Sequence, residues 1–223
     1  AASDVYKRQA VVTGTAKING EDIIIIALDF GFLGGSMGLI VGEKVALAYE
    51  LASKKNLPAI TIINSGGSRI QEGVISLMQM SKTVSSANLL KNSNIPMITI
   101  LCNPSTGQTM SSFATISDII IGEPGAKIGY SSYRKLKNKN SHDSRKQYTS
   151  EEFLTNGFID LVVSRDELKY KISVLISILK PKYSYKSKKL KITKNKNLKF
   201  NNKTKKKQSK IYKYKKKFKN KFK

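Results

Sequence analysis

The sequence is poor in the residues that usually carry side-chain chemistry. It has one cysteine, Cys102, which rules out a disulfide framework and a four-cysteine metal site. Cys102 ends an apolar run, where a buried structural thiol is expected. The one histidine, His142, lies in a charged stretch, so a Ser–His–Asp triad would depend on a residue badly placed for a core site. No glycine-rich run ends in Gly-Lys-Ser/Thr, so a phosphate loop lacks its lysine. No apolar run reaches the roughly 18 residues of a membrane-spanning helix, and no cleavable signal is visible. The default is a soluble protein of a reducing compartment. Acid is absent from Lys180 to Lys223, a stretch that holds 21 of the lysines. The other 179 residues carry 19 basic and 15 acidic residues, so the net charge of +25 belongs mainly to the tail.

What is present is alternation. DIIIIAL (22–28) reads as a strand covered on both faces, and FGFLGGSMG (30–38) follows as a glycine-rich loop. From Gly38 to Asn56 the spacing is helical, with Ile40, Val41, Val45, Leu47, Ala48 and Leu51 on one side. AITII (59–63) is the next strand. NSGGSR (64–69) then opens a long helix with Val74, Ile75, Leu77, Met78 and Leu89 as its apolar residues. IPMITILC (95–102), the loop NPSTGQ (103–108), a short helix around 110–116, DIIIG (118–122) and AKIGY (126–130) continue the pattern. Residues 134–149 read as a polar surface loop. SEEFLTNGF (150–158) reads as a short helix with Ser150 as N-cap, DLVV (160–163) as a strand and Arg165–Leu179 as a closing amphipathic helix. Repeated strand–loop–helix units predict an α/β fold with parallel pairing and right-handed crossovers. Three parts follow: a ragged start over 1–9, a domain over 10–180, and an irregular lysine-rich tail over 181–223.

The glycine loops carry the chemical content. Glycine at a crossover serves either the turn itself or the close approach of a ligand. Amides at such turns can hold an anion or a developing oxyanion. Two similar loops about 40 residues apart, each between strand and helix, could aim their amides at one reaction centre, as the enolate of a thioester needs.

FGFLGGSMGLIVGEK (30–44), SGGSRIQEGVISLMQMSKT (65–83), NIPMITILCNPSTGQTMSSFATISDIIIGEPGAKIG (94–129) and GFIDLVVSRDEL (157–168) together resemble the carboxyltransferase β subunit of bacterial and plastid acetyl-CoA carboxylase. The resemblance implies a crotonase-like spiral of ββα units. It also implies transfer of a carboxyl group from carboxybiotin, on a biotin carboxyl carrier protein, to acetyl-CoA, giving malonyl-CoA for fatty acid biosynthesis. Main-chain amides at Gly66 and Gly67, and at Gly107 and Gln108, match the family's two oxyanion holes. Ser65, Arg69 and the loop Gly34, Gly35, Ser36, Met37 match stretches that shape the CoA side. The partner implied is an α subunit of related fold in an α2β2 assembly, with the active site between the two, so the lone chain is expected to be inactive.

Three departures accompany the resemblance. Gln108 stands where the family has a second glycine, which keeps the N–H but adds a side chain that can crowd the pocket. The family's four-cysteine zinc ribbon has no counterpart in the sequence. No zinc is therefore expected in this chain, and a truncated gene or a fragment is the expected reason. The stretch after Gly129 is altered, with Arg134 as the candidate for the family's arginine. Two other readings remain open. One is a crotonase-type acyl-CoA hydratase or isomerase using a carboxylate such as Glu72 or Glu123. The other is a degenerate homologue whose aromatic-dotted lysine tail binds nucleic acid.

Overall fold

Two β-rich segments meet at an Asn-Gly pair. The computed structural model describes residues 10–131 and 148–179; the predicted ragged start, Arg134, His142 and the lysine-rich tail lie outside these residues. Val11–Ile18 (β1) and Glu21–Leu28 (β2) form an antiparallel hairpin. Its connection, Asn19–Gly20, takes positive φ at both positions, 48° and 87°, as a two-residue hairpin turn requires. The expected parallel pairing therefore does not hold at this edge. VVTGTAKI lacks the dense apolar run that marks the other strands, but the Asn-Gly pair was a legible cue.

The chain continues through a tight turn at Leu33–Gly35 into helix α1 (Leu39–Lys55), strand β3 (Ala59–Ser65), a turn at Ile70–Glu72 and helix α2 (Val74–Asn92). Strands β4 (Met97–Thr106), β5 (Ile119–Gly122), β6 (Lys127–Gly129) and β7 (Tyr148–Thr149) come next, then helix α3 (Ser150–Thr155), strand β8 (Leu161–Val162) and helix α4 (Arg165–Leu179). The main sheet runs β1-β2-β3-β4-β5-β8, parallel from β2 to β8, while β6 pairs with the end of β4 and, antiparallel, with β7. The predicted helix near 110–116 is only a single tight turn, Phe113–Ile116. Tyr148 and Thr149, placed in a loop by the sequence reading, are a strand. The N-cap of α3 is Thr149 rather than Ser150: its hydroxyl accepts from Glu152 N–H while Glu152 reaches back to Thr149 N–H, a reciprocal box that Ser150, already helical, cannot make.

Alternation along the strands sorts the core into two layers. Ile24, Ile26, Ala59, Ile63, Met97 and Leu101 face α1 and α2, whereas Ile23, Ile60, Ile98, Ile100 and Cys102 face Ile172 and Ile176 of α4. A sheet covered on both faces explains why its strands read as continuous apolar runs.

The two helices on the first layer bury different faces from those the apolar spacing suggests. In α1, Val41, Val45 and Ala48 are buried as predicted, but Ile40 and Leu47 point outward. Gly42, Ala46, Tyr49 and Ala52 complete the buried side. The reason is that α1 packs against both the sheet and α2. A side chain at Gly42 would collide with Gln79, so α2 can approach only because that position is empty. In α2 the reversal is complete. Val74, Ile75, Leu77, Met78 and Leu89 are all exposed, and the inward face is Ser76, Gln79, Thr83, Ser86, Ala87 and Leu90. The inward hydroxyls donate to carbonyls of their own helix or its cap: Ser76 to Gly73 (2.8 Å), Thr83 to Gln79 (2.9 Å) and Ser86 to Lys82 (3.1 Å). Bonded in this way they bury without an unpaired donor, and their small size suits close helix contact.

Cys102 is buried on the α4 side, as its apolar context suggests. Burial, with the nearby Glu123 carboxylate, pushes its thiol up to about 12 against the opposing influence of Arg165. The thiol is therefore neutral at pH 8. Iodoacetamide at that pH is expected to alkylate Cys102 about a hundredfold or more slowly in the native chain than in urea, because the thiolate is the nucleophile. Equal rates in both conditions would contradict this packing.

Candidate functional site

The site is built where β3 and β4 end. Their parallel register is regular through Ile63 and Leu101, then slips so that Ser65 pairs with Ser105. Such a slip leaves extra residues on one strand and re-aims the chain beyond it. Three hydroxyls stabilise the slip, all on fully buried residues. Ser105 Oγ donates to Ile63 O (2.9 Å) and Cys102 O (2.8 Å). Thr106 Oγ1 donates to Ser65 O at 3.1 Å. Ser65 Oγ donates to Gly35 O at 2.7 Å and accepts from Gly67 N–H at 3.2 Å.

The loops themselves are stitched by backbone. Gly66 N–H donates to Gly34 O (2.8 Å), Met37 N–H to Gly67 O (2.8 Å) and Arg69 N–H to Met37 O (2.9 Å). The loop after β2 is thereby held along the loop after β3. Gly107 N–H donates to Gly129 O at 2.8 Å, which ties the loop after β4 to β6. Two glycines are obligatory here. A Cβ at Gly35, where φ is 59°, would run into Asn64 O, and at Gly67, where φ is 107°, it would come within 3.3 Å of Gly107 Cα and 3.5 Å of Gln108 N. The turns after β3 and β4 therefore touch. A valine at Gly67 would strain the backbone as well as fill the site, so it is not a clean probe.

The residues expected to act are thus brought together, in unequal states. Gly66 and Gly107 spend their N–H groups on Gly34 and Gly129. Gly67 N–H has only the long bond to Ser65. Gln108 N–H has no acceptor among the described residues. The Gln108 side chain, buried, turns away to α2, with Nε2 donating to Ser76 O and Oε1 unpaired. The side chain of Met37 is fully buried in the core, so this residue offers only its backbone to the loop.

A cavity of about 220 Å³ opens beside these loops, lined in part by Phe32, Ser36, Ile40, Lys44, Arg69 and Glu72. Ser36 and Arg69 were expected there. Lys44 was not singled out, although its place one turn into the helix after the glycine loop brings a second cation to the cavity. The four amide-bearing residues do not line it. The two carboxylates open to the alternative enzymatic reading are both engaged. Glu72 accepts from Leu39 N–H at 2.5 Å and lies 3.5 Å from Arg69, so it caps α1. Glu123 takes a two-pronged bond from Arg165, at 2.7 and 3.1 Å.

Residues 1–217 match the model of the carboxyl transferase domain. The chain belongs to that family. It is 43% identical over 176 residues to a fused acetyl-coenzyme A carboxylase carboxyl transferase subunits beta/alpha of Natranaerobius thermophilus, covering 78% of this chain and 29% of that one. It is 42% identical over 174 residues to the subunit beta of Christiangramia forsetii, covering 78% and 61%. The chain therefore spans less than two thirds of the length of these relatives. The Pseudomonas malonate decarboxylase MdcD–MdcE hetero-dimer shares its fold, with a TM-score of 0.67 over 76% of this chain and 77% of that one at 20% identity. The crotonase-like α/β fold expected from the resemblance is the fold present.

Ser65 is the side chain on which the loop geometry turns. Replacing it with alanine leaves the Gly35 carbonyl and the Gly67 N–H without their hydroxyl partner. Ser65→Ala is expected to cost about 1–3 kcal/mol of stability, read from urea unfolding. A change within experimental error would show that the hydroxyl does not hold the loops.

Proposed function

We propose that this chain is the β-type half of an acetyl-CoA carboxylase carboxyltransferase. The observation that carries the reading is the contact between the turns after β3 and β4, where a Cβ at Gly67 would come within 3.5 Å of Gln108 N, whose N–H has no acceptor among the described residues. The substrates are acetyl-CoA and carboxybiotin carried on a biotin carboxyl carrier protein. The partner is an α subunit of related fold, assembled as α2β2 in the cytoplasm or plastid stroma.

The reaction needs charge stabilisation more than side-chain acid or base. The N–C bond of carboxybiotin breaks, releasing CO₂ and leaving the electron pair on the biotin ureido group. That anion takes a methyl proton from acetyl-CoA. The resulting enolate carbon attacks CO₂, and the new C–C bond gives malonyl-CoA. Negative charge passes through the thioester oxygen, which main-chain N–H donors can hold. In this reading Gly67 and Gln108 supply donors. Gly66 and Gly107, by donating to Gly34 and Gly129, hold the loops in place. Ser65 fixes Gly67. Of the loop Gly34, Gly35, Ser36 and Met37, Ser36 lines the cavity on the CoA side, which Arg69 and Lys44 also line, and the others give that loop its backbone. The engagement of Glu72 and Glu123 argues against a carboxylate-driven hydratase.

The test separates the Gln108 backbone from its side chain. Gln108→Pro deletes the N–H. Gln108→Gly keeps it and clears the side chain. With the α subunit and a carboxybiotin donor, malonyl-CoA formation should fall about 100- to 1,000-fold for the proline variant, the usual loss for one oxyanion donor. The glycine variant should be at least as active as the parent. Melting temperatures confirm that both fold. Equal turnover in the two variants would remove Gln108 from the mechanism, and no malonyl-CoA from the well-folded parent pair would remove the function.

A further inference from the structure

Helix α1 begins without a cap of its own. Gly38 has no side chain to offer, and the first turn carries no acid. The missing acceptor comes from 33 residues further along the chain. Glu72 Oε2 takes the Leu39 N–H at 2.5 Å, while Oε1 lies 3.5 Å from Arg69 Nε. One carboxylate thus joins the start of α1, the Ile70–Glu72 turn and a cation of the cavity wall. Gly38 is fitted to it. Its backbone, at φ −126° and ψ −170°, is extended and open to any residue, yet a Cβ there would collide with the Glu72 carboxylate. The glycine is demanded by its neighbour rather than by its own conformation. Gly38, Arg69 and Glu72 all line the cavity, together with Ser36 and Lys44.

We propose that Glu72 is a positioning residue for the acyl-CoA ligand: while it caps α1 it holds Arg69 by Nε, so that the other guanidinium nitrogens meet the anionic part of the ligand in the cavity. This rests on the reading of the chain as one half of a carboxyltransferase, and names a residue that sets that site without touching the reacting atoms. An arginine free on its long stem loses rotamer freedom when a ligand fixes it. Fixed beforehand by a carboxylate it loses less, and the difference appears as affinity. The pairing does not cancel the attraction for an anion, because Lys44 gives the cavity two cations against the one carboxylate.

The full-length chain, paired with its α subunit, is titrated with acetyl-CoA by calorimetry, and steady-state constants are read with a carboxybiotin donor. Glu72→Gln keeps an oxygen for the Leu39 N–H and drops the charge that holds Arg69. It should leave the melting temperature at the parent's and weaken acetyl-CoA binding about fivefold, the worth of one half-exposed ion pair. KM for acetyl-CoA should rise to match, with kcat and the KM of the donor unchanged. Glu72→Ala loses the cap as well and should lower the melting temperature too. Gly38→Ala pushes the carboxylate aside without removing it, so it should weaken binding by itself and add nothing on top of Glu72→Ala. Parent affinity in Glu72→Gln would reduce Glu72 to a cap and overturn the proposal, as would full additivity of Gly38→Ala and Glu72→Ala. A parent pair that binds acetyl-CoA but makes no malonyl-CoA counts against the proposed function alone, since binding still reports on Glu72. A parent pair that binds no acetyl-CoA overturns both.

Discussion

The slip in register between β3 and β4 is the constraint from which the site follows. Up to Ile63 and Leu101 the two strands march together. Beyond that point one strand must accommodate extra residues, and its backbone groups lose their ladder partners. Ser65, Ser105 and Thr106 take up those groups with hydroxyls short enough to fit a fully buried space. An apolar residue at any of the three would leave buried carbonyls unpaired, which costs more than the hydrogen bond itself is worth. The two turns that follow are held in contact by that small polar lattice, with no aid from any charged side chain. Contact between the turns in turn requires Gly67 to have no Cβ, since Gly107 lies against it.

The same logic of closeness governs the helices. α1 and α2 approach each other through Gly42 and Gln79, and α2 buries Ser76, Thr83 and Ser86 together with Ala87 and Leu90. Its other large apolar side chains, Val74, Ile75, Leu77, Met78 and Leu89, are exposed. Helix α4 buries Ile172 and Ile176 against the other face of the sheet, and it too leaves apolar side chains exposed, Tyr170 and Ile178.

Much of this was legible in the sequence where one physical signal acted alone. DIIIIAL, AITII and IPMITILC are strands because a sheet covered on both faces demands apolar residues at every position. The glycine loops were legible because few other residues take their conformations. The hairpin strand β1 was lost because its cue lay in Asn19–Gly20, outside the apolar run that marks a buried strand. The face of α1 was read in part, with Val41, Val45 and Ala48 buried, and that of α2 was misread, because apolar spacing reports which side is greasy and says nothing of what packs against it. The unequal states of the four amides were beyond sequence altogether. That Gly66 N–H serves Gly34 while Gln108 N–H has no acceptor among the described residues depends on which loops fold together, and no spacing encodes that. Lys44 was missed for a related reason: a lysine on a helix reads as surface until the loop beside it shapes a cavity.

A site made of main-chain donors tolerates change in a way that a side-chain site does not. Substitution of a catalytic histidine removes the group, whereas glutamine at 108 leaves the N–H in place and alters only what hangs from it. The space such a side chain takes is then the remaining problem. Here Gln108 meets it by turning to Ser76 O on α2, satisfying its amide nitrogen there while its Oε1 stays buried without a partner. That bond joins the loop bearing the Gln108 N–H to the first turn of α2, so the placement of the amide depends on where α2 lies as well as on the turn after β4.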